Sequence, residues 1–234
     1  SANTTGSYNI AIGLNALKSN NGAGGGAEGN IAIGQNAMAS ALSTRGNTSI
    51  GYASLTALTI GGDNTAIGEG TLASLTESYS NTAIGSAAMY QATNNSQKSV
   101  AIGVRAGQKM NGGFNTFLGF ESGASNLGSG NVFLGSLSGF NAAFDNVSNK
   151  LIIQNADNAI PLVYGDFSSK QLNINGTLST AGTIQAFLAK TSAYTALTSD
   201  EIITGDATSG LFTITLPTAV GVTGQTYTIK RINS

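Results

Sequence analysis

The chain has 234 residues, 41% hydrophobic but only 9% charged and 7% aromatic, with 32 Gly, 2 Pro and a formal net charge of −1. So neutral a balance gives no electrostatic pull toward nucleic acid or an anionic membrane, and the absence of Cys and His removes disulfides, thiolate chemistry and the commonest metal ligand and general base. No apolar run approaches the roughly 20 residues of a membrane-spanning helix, and aliphatics at this density argue against disorder.

The first predicted element is a short strand, Asn9-Ile-Ala-Ile-Gly13, and its motif returns seven more times. The copies are Asn30-Ile-Ala-Ile-Gly34, Asn47-Thr-Ser-Ile-Gly51, Asn64-Thr-Ala-Ile-Gly68, Asn81-Thr-Ala-Ile-Gly85, Ser99-Val-Ala-Ile-Gly103, Asn115-Thr-Phe-Leu-Gly119 and Asn131-Val-Phe-Leu-Gly135. Successive glycines lie 21, 17, 17, 17, 18, 16 and 16 residues apart, the long first interval holding an enlarged loop, Asn21-Gly-Ala-Gly-Gly-Gly26. Three positions after each Gly the residue is small: Ala16, Ala37, Ser54, Thr71, Ala88, Ala106, Ser122 and Ser138. The next position holds Leu17, Met38, Leu55, Leu72 and Met89, then Gly107, Gly123 and Gly139, and among these last coils the middle of the motif becomes Phe117 and Phe133.

A period of 16 to 18 residues is too short for a helical hairpin repeat and lacks helical spacing. It fits one coil of a parallel β-solenoid, or β-roll, with two short strands, turns between them, and Gly at a corner that needs unusual dihedrals. The predicted fold is therefore all-β: about eight coils, followed by small antiparallel β-units. Strand alternation places the second and fourth motif positions, such as Thr65 and Ile67, on one face and the third, Ala66, on the other. The larger aliphatics are assigned to the core. On that assignment the opposite face carries Ala11, Ala32, Ala66, Ala83, Ala101, Phe117 and Phe133, and is expected to pack between parallel copies in a homotrimer. The Asn and Thr positions are expected to form ladders along the stack.

The repeat stops near Phe144. Leu151-Ile-Ile153, Pro161-Leu-Val-Tyr164 and Gln171-Leu-Asn-Ile174 read as strands separated by turns, and Gly176 to Ile184 as a connector. In Leu211 to Leu216, Phe212, Ile214 and Leu216 share a face before Pro217 ends the strand. The expected organisation is a repeat shaft over residues 1–148, a β-hairpin connector over 149–182 and a small C-terminal β-domain over 183–234. Ser1 in place of Met predicts that sequence was removed upstream, and the stop just after Ile232 predicts an incomplete terminal domain.

Chemistry-bearing patterns are few. Of the eleven acidic residues only Glu69 and Glu121 occupy similar repeat positions, one and two places after their glycines, and no catalytic residue, cofactor site or metal site is assigned. The Gly22 to Gly26 run is followed by no Lys-Ser/Thr pair, so it reads as a loop rather than a phosphate cradle; calcium-binding Gly-Asp nonapeptides are absent. A Thr row (Thr48, Thr65, Thr82, Thr116) invites an ice-binding reading, but a flat ice face usually needs paired Thr rows, the neighbouring position here is Ala or Phe, and Thr shares its face with the Ile assigned to the core, so structural packing is favoured. Tyr52, Tyr90 and Phe120 are assigned to core or interface. The candidate receptor contacts are Tyr194 and Tyr227 in the terminal unit, since stacking on apolar sugar faces uses exposed aromatics.

Ser99-Val-Ala-Ile-Gly103 resembles the head repeat of trimeric autotransporter adhesins, which form left-handed parallel β-rolls in trimers. The array as a whole, with Asn3-Thr-Thr-Gly-Ser-Tyr-Asn9 leading into a coil, is closer still to repeats of bacteriophage tail-fibre proteins. Asn149-Lys-Leu-Ile-Ile153 and Pro161-Leu-Val-Tyr-Gly-Asp-Phe167 resemble the segment that ends such arrays. Gly210-Leu-Phe-Thr-Ile-Thr-Leu-Pro217 and Gln225-Thr-Tyr-Thr-Ile-Lys230 resemble a small terminal β-domain of phage and bacterial surface proteins. The resemblance implies a non-enzymatic homotrimer in an extracellular virion tail, partnered by other tail or baseplate proteins and by a host cell-surface glycan or protein. A bacterial surface adhesin is the alternative it implies, and a polysaccharide-degrading tailspike a third; nucleic-acid binding and membrane insertion are not expected.

Overall fold

The computed structural model describes residues 6–19 and 27–176, together with five strands beyond them, and divides the chain into two units, Ser1–Thr177 and Leu178–Ser234. In the first unit the strands in chain order are β1 (Ile10–Ile12), β2 (Ile31–Ile33), β3 (Ser43–Arg45), β4 (Thr48–Ile50), β5 (Ile60–Gly62), β6 (Thr65–Ile67), β7 (Glu77–Tyr79), β8 (Thr82–Ile84), β9 (Val100–Ile102), β10 (Thr116–Leu118), β11 (Val132–Leu134), β12 (Lys150–Ile153), β13 (Val163–Asp166) and β14 (Gln171–Ile174). Each motif copy forms one three-residue strand, and these strands stack parallel and in register as β1-β2-β4-β6-β8-β9-β10-β11. β3, β5 and β7 form a second parallel sheet on the return wall of three coils. The β-solenoid expected from the period is present, and its parallel stack runs through β12 across the boundary expected at residue 148. Antiparallel pairing begins only there, in β12-β13-β14.

Two side-chain columns hold the coils together. The first is asparagine. Oδ1 of Asn30 accepts from the backbone N–H of Asn47 at 3.0 Å, that of Asn47 from Asn64 N–H at 3.1 Å, and that of Asn64 from Asn81 N–H at 3.1 Å. The series runs on through Ser99 and Asn115 to Asn131, which receives Lys150 N–H. The amide end of the same side chain donates across the coil, Asn30 to Thr44 O at 3.0 Å and Asn64 to Ser78 O at 2.8 Å. Buried backbone N–H groups at the strand entrance therefore find partners where the turn leaves them none.

The second column is the motif glycine. From Gly13 to Gly135 every φ lies between +112° and +139°, and a Cβ on Gly68 would sit 2.7 Å from the carbonyl oxygen of Gly85 in the next coil. The column ends at Gln154, whose carbonyl faces Gly135 and whose side-chain amide donates to Leu137 O and Ala156 O.

The direction of the strand side chains reverses the expected assignment. Ala32, Ser49, Ala66, Ala83, Ala101, Phe117, Phe133 and Ile152 are fully buried and form the core with Leu17, Met38, Leu55, Leu72 and Met89. Ile33, Ile50, Ile67 and Ile84 do lie in file, but on the outside, partly exposed. The physical reason is space. The two walls of a coil approach so closely that Ser49 and Ser54 hydroxyls hydrogen-bond across it, and beside a Leu or Met only Ala or Ser fits. In the coils of Phe117 and Phe133 the Leu/Met position is Gly123 and Gly139, and a Cβ on Gly123 would lie 2.6 Å from the Phe117 ring. The coil's interior volume is thus shared between two positions six residues apart. Leu17, Leu55 and Leu72 occupy this position at φ +48° to +54°, a left-handed conformation costing roughly 1–2 kcal/mol for a side-chain-bearing residue, offset here by complete burial.

In the second unit, β15 (Leu188–Lys190), β17 (Ile202–Asp206) and β19 (Thr228–Ile232) form a parallel sheet in that order, and β16 (Tyr194–Thr195) pairs parallel with β18 (Ile214–Thr215). The pairings described beyond Leu178 are parallel, and among the described residues antiparallel pairing occurs in the β12-β13-β14 hairpin.

Candidate interaction face

Because the small residues point inward, the outer face of the long sheet carries two continuous rows of apolar and hydroxyl side chains. One row is Ile10, Ile31, Thr48, Thr65, Thr82, Val100, Thr116, Val132 and Leu151; the other is Ile12, Ile33, Ile50, Ile67, Ile84, Ile102, Leu118, Leu134 and Ile153. No charged residue interrupts either row. Cross-strand register carries the face onto the hairpin, where Ile153, Val163 and Ile174 align, as do Leu151, Gly165 and Leu172; Leu172 and Ile174 are exposed. Eleven strands at about 4.8 Å, each with three residues rising about 3.3 Å, present a surface of about 500 Å², at the upper end of the apolar patch a typical monomer leaves in water.

The Ala/Phe surface expected to meet other copies is the interior of each coil, so a self-association face, if used, is the Ile/Thr/Val face. Thr48, Thr65, Thr82 and Thr116 stand outward beside the isoleucines rather than toward the core, while the second outward row holds Ile and Leu and no Thr.

Tyr52, Tyr90 and Phe120, assigned to core or interface, are exposed in the chain. They stand one or five places after a motif Gly, whereas the interior is lined by the middle residue of the motif and the residues three and four places after its Gly. Tyr90 packs an edge of its ring on Gly70, where an added Cβ would lie 3.1 Å from ring carbon Cδ2. Phe120 lies under the Arg105 guanidinium, 5.3 Å from the ring centroid, and Arg105 also pairs with Glu121 at 2.5 Å. Glu69 and Glu121 stand three coils apart, about 14 Å along the stack, beyond the 5–10 Å that glycosidase carboxylates span. Tyr194 falls on β16, its side chain outside what the structure describes; Tyr227 and Gly22 to Gly26 lie outside the described residues.

At the end of the stack Lys150 Nζ meets Asp166 Oδ2 at 2.7 Å, and the same carboxylate accepts from the N–H groups of Ser168 and Ser169. The hydrogen bond from Lys150 lowers the Asp166 pKa to about 2. Among the described residues no group of three or more His, Cys, Asp or Glu gathers, and no helix is long and apolar enough to cross a membrane. No family model, curated protein or solved structure matches the chain.

Proposed function

We propose that the chain is the structural and receptor-binding segment of a homotrimeric phage tail fibre, carried in the virion tail, that mediates attachment to a host surface. The observation behind this reading is the uncharged Ile/Thr/Val face on the outside of an eight-coil solenoid. Three copies set face to face would remove that surface from water, and burial of apolar area is the main driving term in such association. A fibre of this kind holds its binding surface away from the particle and gains strength from threefold avidity. Partners are then two identical chains, other tail or baseplate proteins, and a surface glycan or protein. A bacterial surface adhesin uses the same physics, and neighbouring coding sequences separate the two: capsid and baseplate genes favour the phage, an outer-membrane anchor the adhesin. A polysaccharide-degrading tailspike is the third reading, tested by release of oligosaccharide from host surface polysaccharide.

Light scattering on the purified chain should give three times its 23.5 kDa mass. Paired substitution of Ile67→Asp and Ile84→Asp should yield monomers that keep their β circular dichroism. A folded wild-type monomer at micromolar concentration refutes the trimer.

The outward Thr row favours one further reading. Thr48, Thr65, Thr82 and Thr116 beside Ile50, Ile67, Ile84 and Leu118 make a flat, regularly spaced, uncharged surface suited to ordering water. A monomeric chain that shapes ice crystals and lowers the freezing point below the melting point would replace the trimer reading.

A further inference from the structure

Resting on the reading of the chain as an attachment protein, we infer that the flank of coils 3 to 5 carries a neutral-sugar platform built from Tyr52, Glu69 and Tyr90 around Gly70. Tyr52 follows the motif glycine of coil 3, and its carbonyl accepts from Gly70 N–H at 2.8 Å; the carbonyl of Glu69 accepts from Ala87 N–H at 2.8 Å in coil 5. These contacts place Tyr52 and Glu69 on successive coils, about 4.8 Å apart in the backbone. Tyr90 leaves coil 5 and comes to rest on Gly70, beside Glu69, with Cδ2 and Cε2 at 3.1 and 3.3 Å from where a Cβ would be.

The Gly70 position is what makes the cluster. Equivalent places in the other coils hold Asn15, Asn36, Ala53, Ala87, Arg105, Glu121 and Leu137, and a side chain there would push the Tyr90 ring away. Packed on backbone, the ring is fixed by a contact that costs no side-chain entropy on binding. Both tyrosines nonetheless stay open, Tyr52 at 52% and Tyr90 at 41% exposure. One ring held on backbone, an exposed second ring one coil from Glu69 and the Glu69 carboxylate between their chain positions match the chemistry of an uncharged pyranose: apolar ring faces stack on the aromatics and hydroxyls donate to Glu69. The same carboxylate disfavours uronates and sialylated sugars.

Saturation-transfer NMR and calorimetry with maltotriose, cellotriose and chitotriose test the site, with sialyllactose as the charged comparison and light scattering run on every variant. At least one neutral trisaccharide should bind the wild-type chain, and sialyllactose should not. Tyr52→Ala, Tyr90→Ala and Gly70→Ala should each weaken binding by about tenfold or more, while Tyr79→Ala on β7 should not. The proposal is overturned by absence of saturation transfer from all three neutral sugars, by variants that bind like wild type, by equal binding of sialyllactose, or by tyrosine variants that lose their assembly state. Absence of sugar binding by a wild-type trimer would remove this site alone. Sugar binding by a wild-type monomer would instead remove the trimer and keep the site.

Discussion

Replacing Phe117 by Ala tests how the interior of a coil is filled. The side chain is fully buried and its ring lies 5.0 Å from that of Phe133. With Gly123 on one side and Gly107, whose Cβ position is 3.2 Å from the ring, on the other, neither of these positions has a side chain to relax into the space. A Phe→Ala truncation costs about 3–5 kcal/mol, and the glycine walls place this one in the upper half of that range. Gly123→Leu alone should also destabilise, by about 2–4 kcal/mol from overpacking against the ring and from a left-handed backbone. Combined, the two substitutions recreate the pairing of Ala66 with Leu72, and burial of Leu returns about 1.5–3 kcal/mol. The double variant should therefore be more stable than Phe117→Ala alone, with a favourable coupling of about 3 kcal/mol. Urea unfolding followed by circular dichroism on the four proteins of the cycle measures it. A double variant whose loss equals or exceeds the sum of the two single losses would refute the shared-volume argument.

The other expectations concern the two columns and the hairpin. Gly68→Ala combines a φ of +134° with collision against the Gly85 carbonyl and should cost at least about 3 kcal/mol; thermal unfolding little changed from wild type would show that the coils separate easily. Asn64→Ala removes the acceptor of the Asn81 N–H and the amide donor to Asn47 Oδ1 and the Ser78 carbonyl and should cost about 2–4 kcal/mol, read from the urea midpoint; an unchanged midpoint would show that the Asn column adds nothing to stability. Because Asp166 has its pKa lowered from 3.8 to about 2, its contribution is present above pH 4 and is lost as pH falls through about 2. Amide exchange of Ser168 and Ser169 should accelerate over that window in the wild-type chain and be pH-insensitive beyond the intrinsic rate in Asp166→Asn; identical profiles for the two would remove Asp166 as the cause.

The axial order was legible because it is written as identity: the same residues return at each coil, so Ile50 above Ile33 and Gly68 above Gly51 follow from spacing alone. Which face turns inward was not, because hydropathy ranks Ile above Ala, while beside a Leu or Met the interior admits only Ala or Ser, and a Phe fits only where the facing position is Gly. The clue lay in covariation within the chain itself. Ala66 with Leu72 and Ala83 with Met89 become Phe117 with Gly123 and Phe133 with Gly139, a trade that only two touching positions make. For Tyr52, Tyr90 and Phe120 the expectation of core or interface loses only its first half, since they stand one or five places after a motif Gly, outside the positions that face inward. The Asn ladder was legible as a ladder, but its second role, donation across the coil to Thr44 and Ser78, depends on a return wall whose residues do not repeat.

The glycine column also fixes the increment in which such a protein changes length. In its Asn and Gly columns each coil meets its two neighbours through equivalent atoms, so excising residues 65–81 would bring Asn64 onto Thr82 with both columns unbroken. Shortening or duplication in whole turns keeps those columns in register, whereas loss of a few residues shifts every side chain above the cut. Reach is therefore free to drift by gene slippage in steps of about 4.8 Å per turn, independently of how tightly any one turn holds the next.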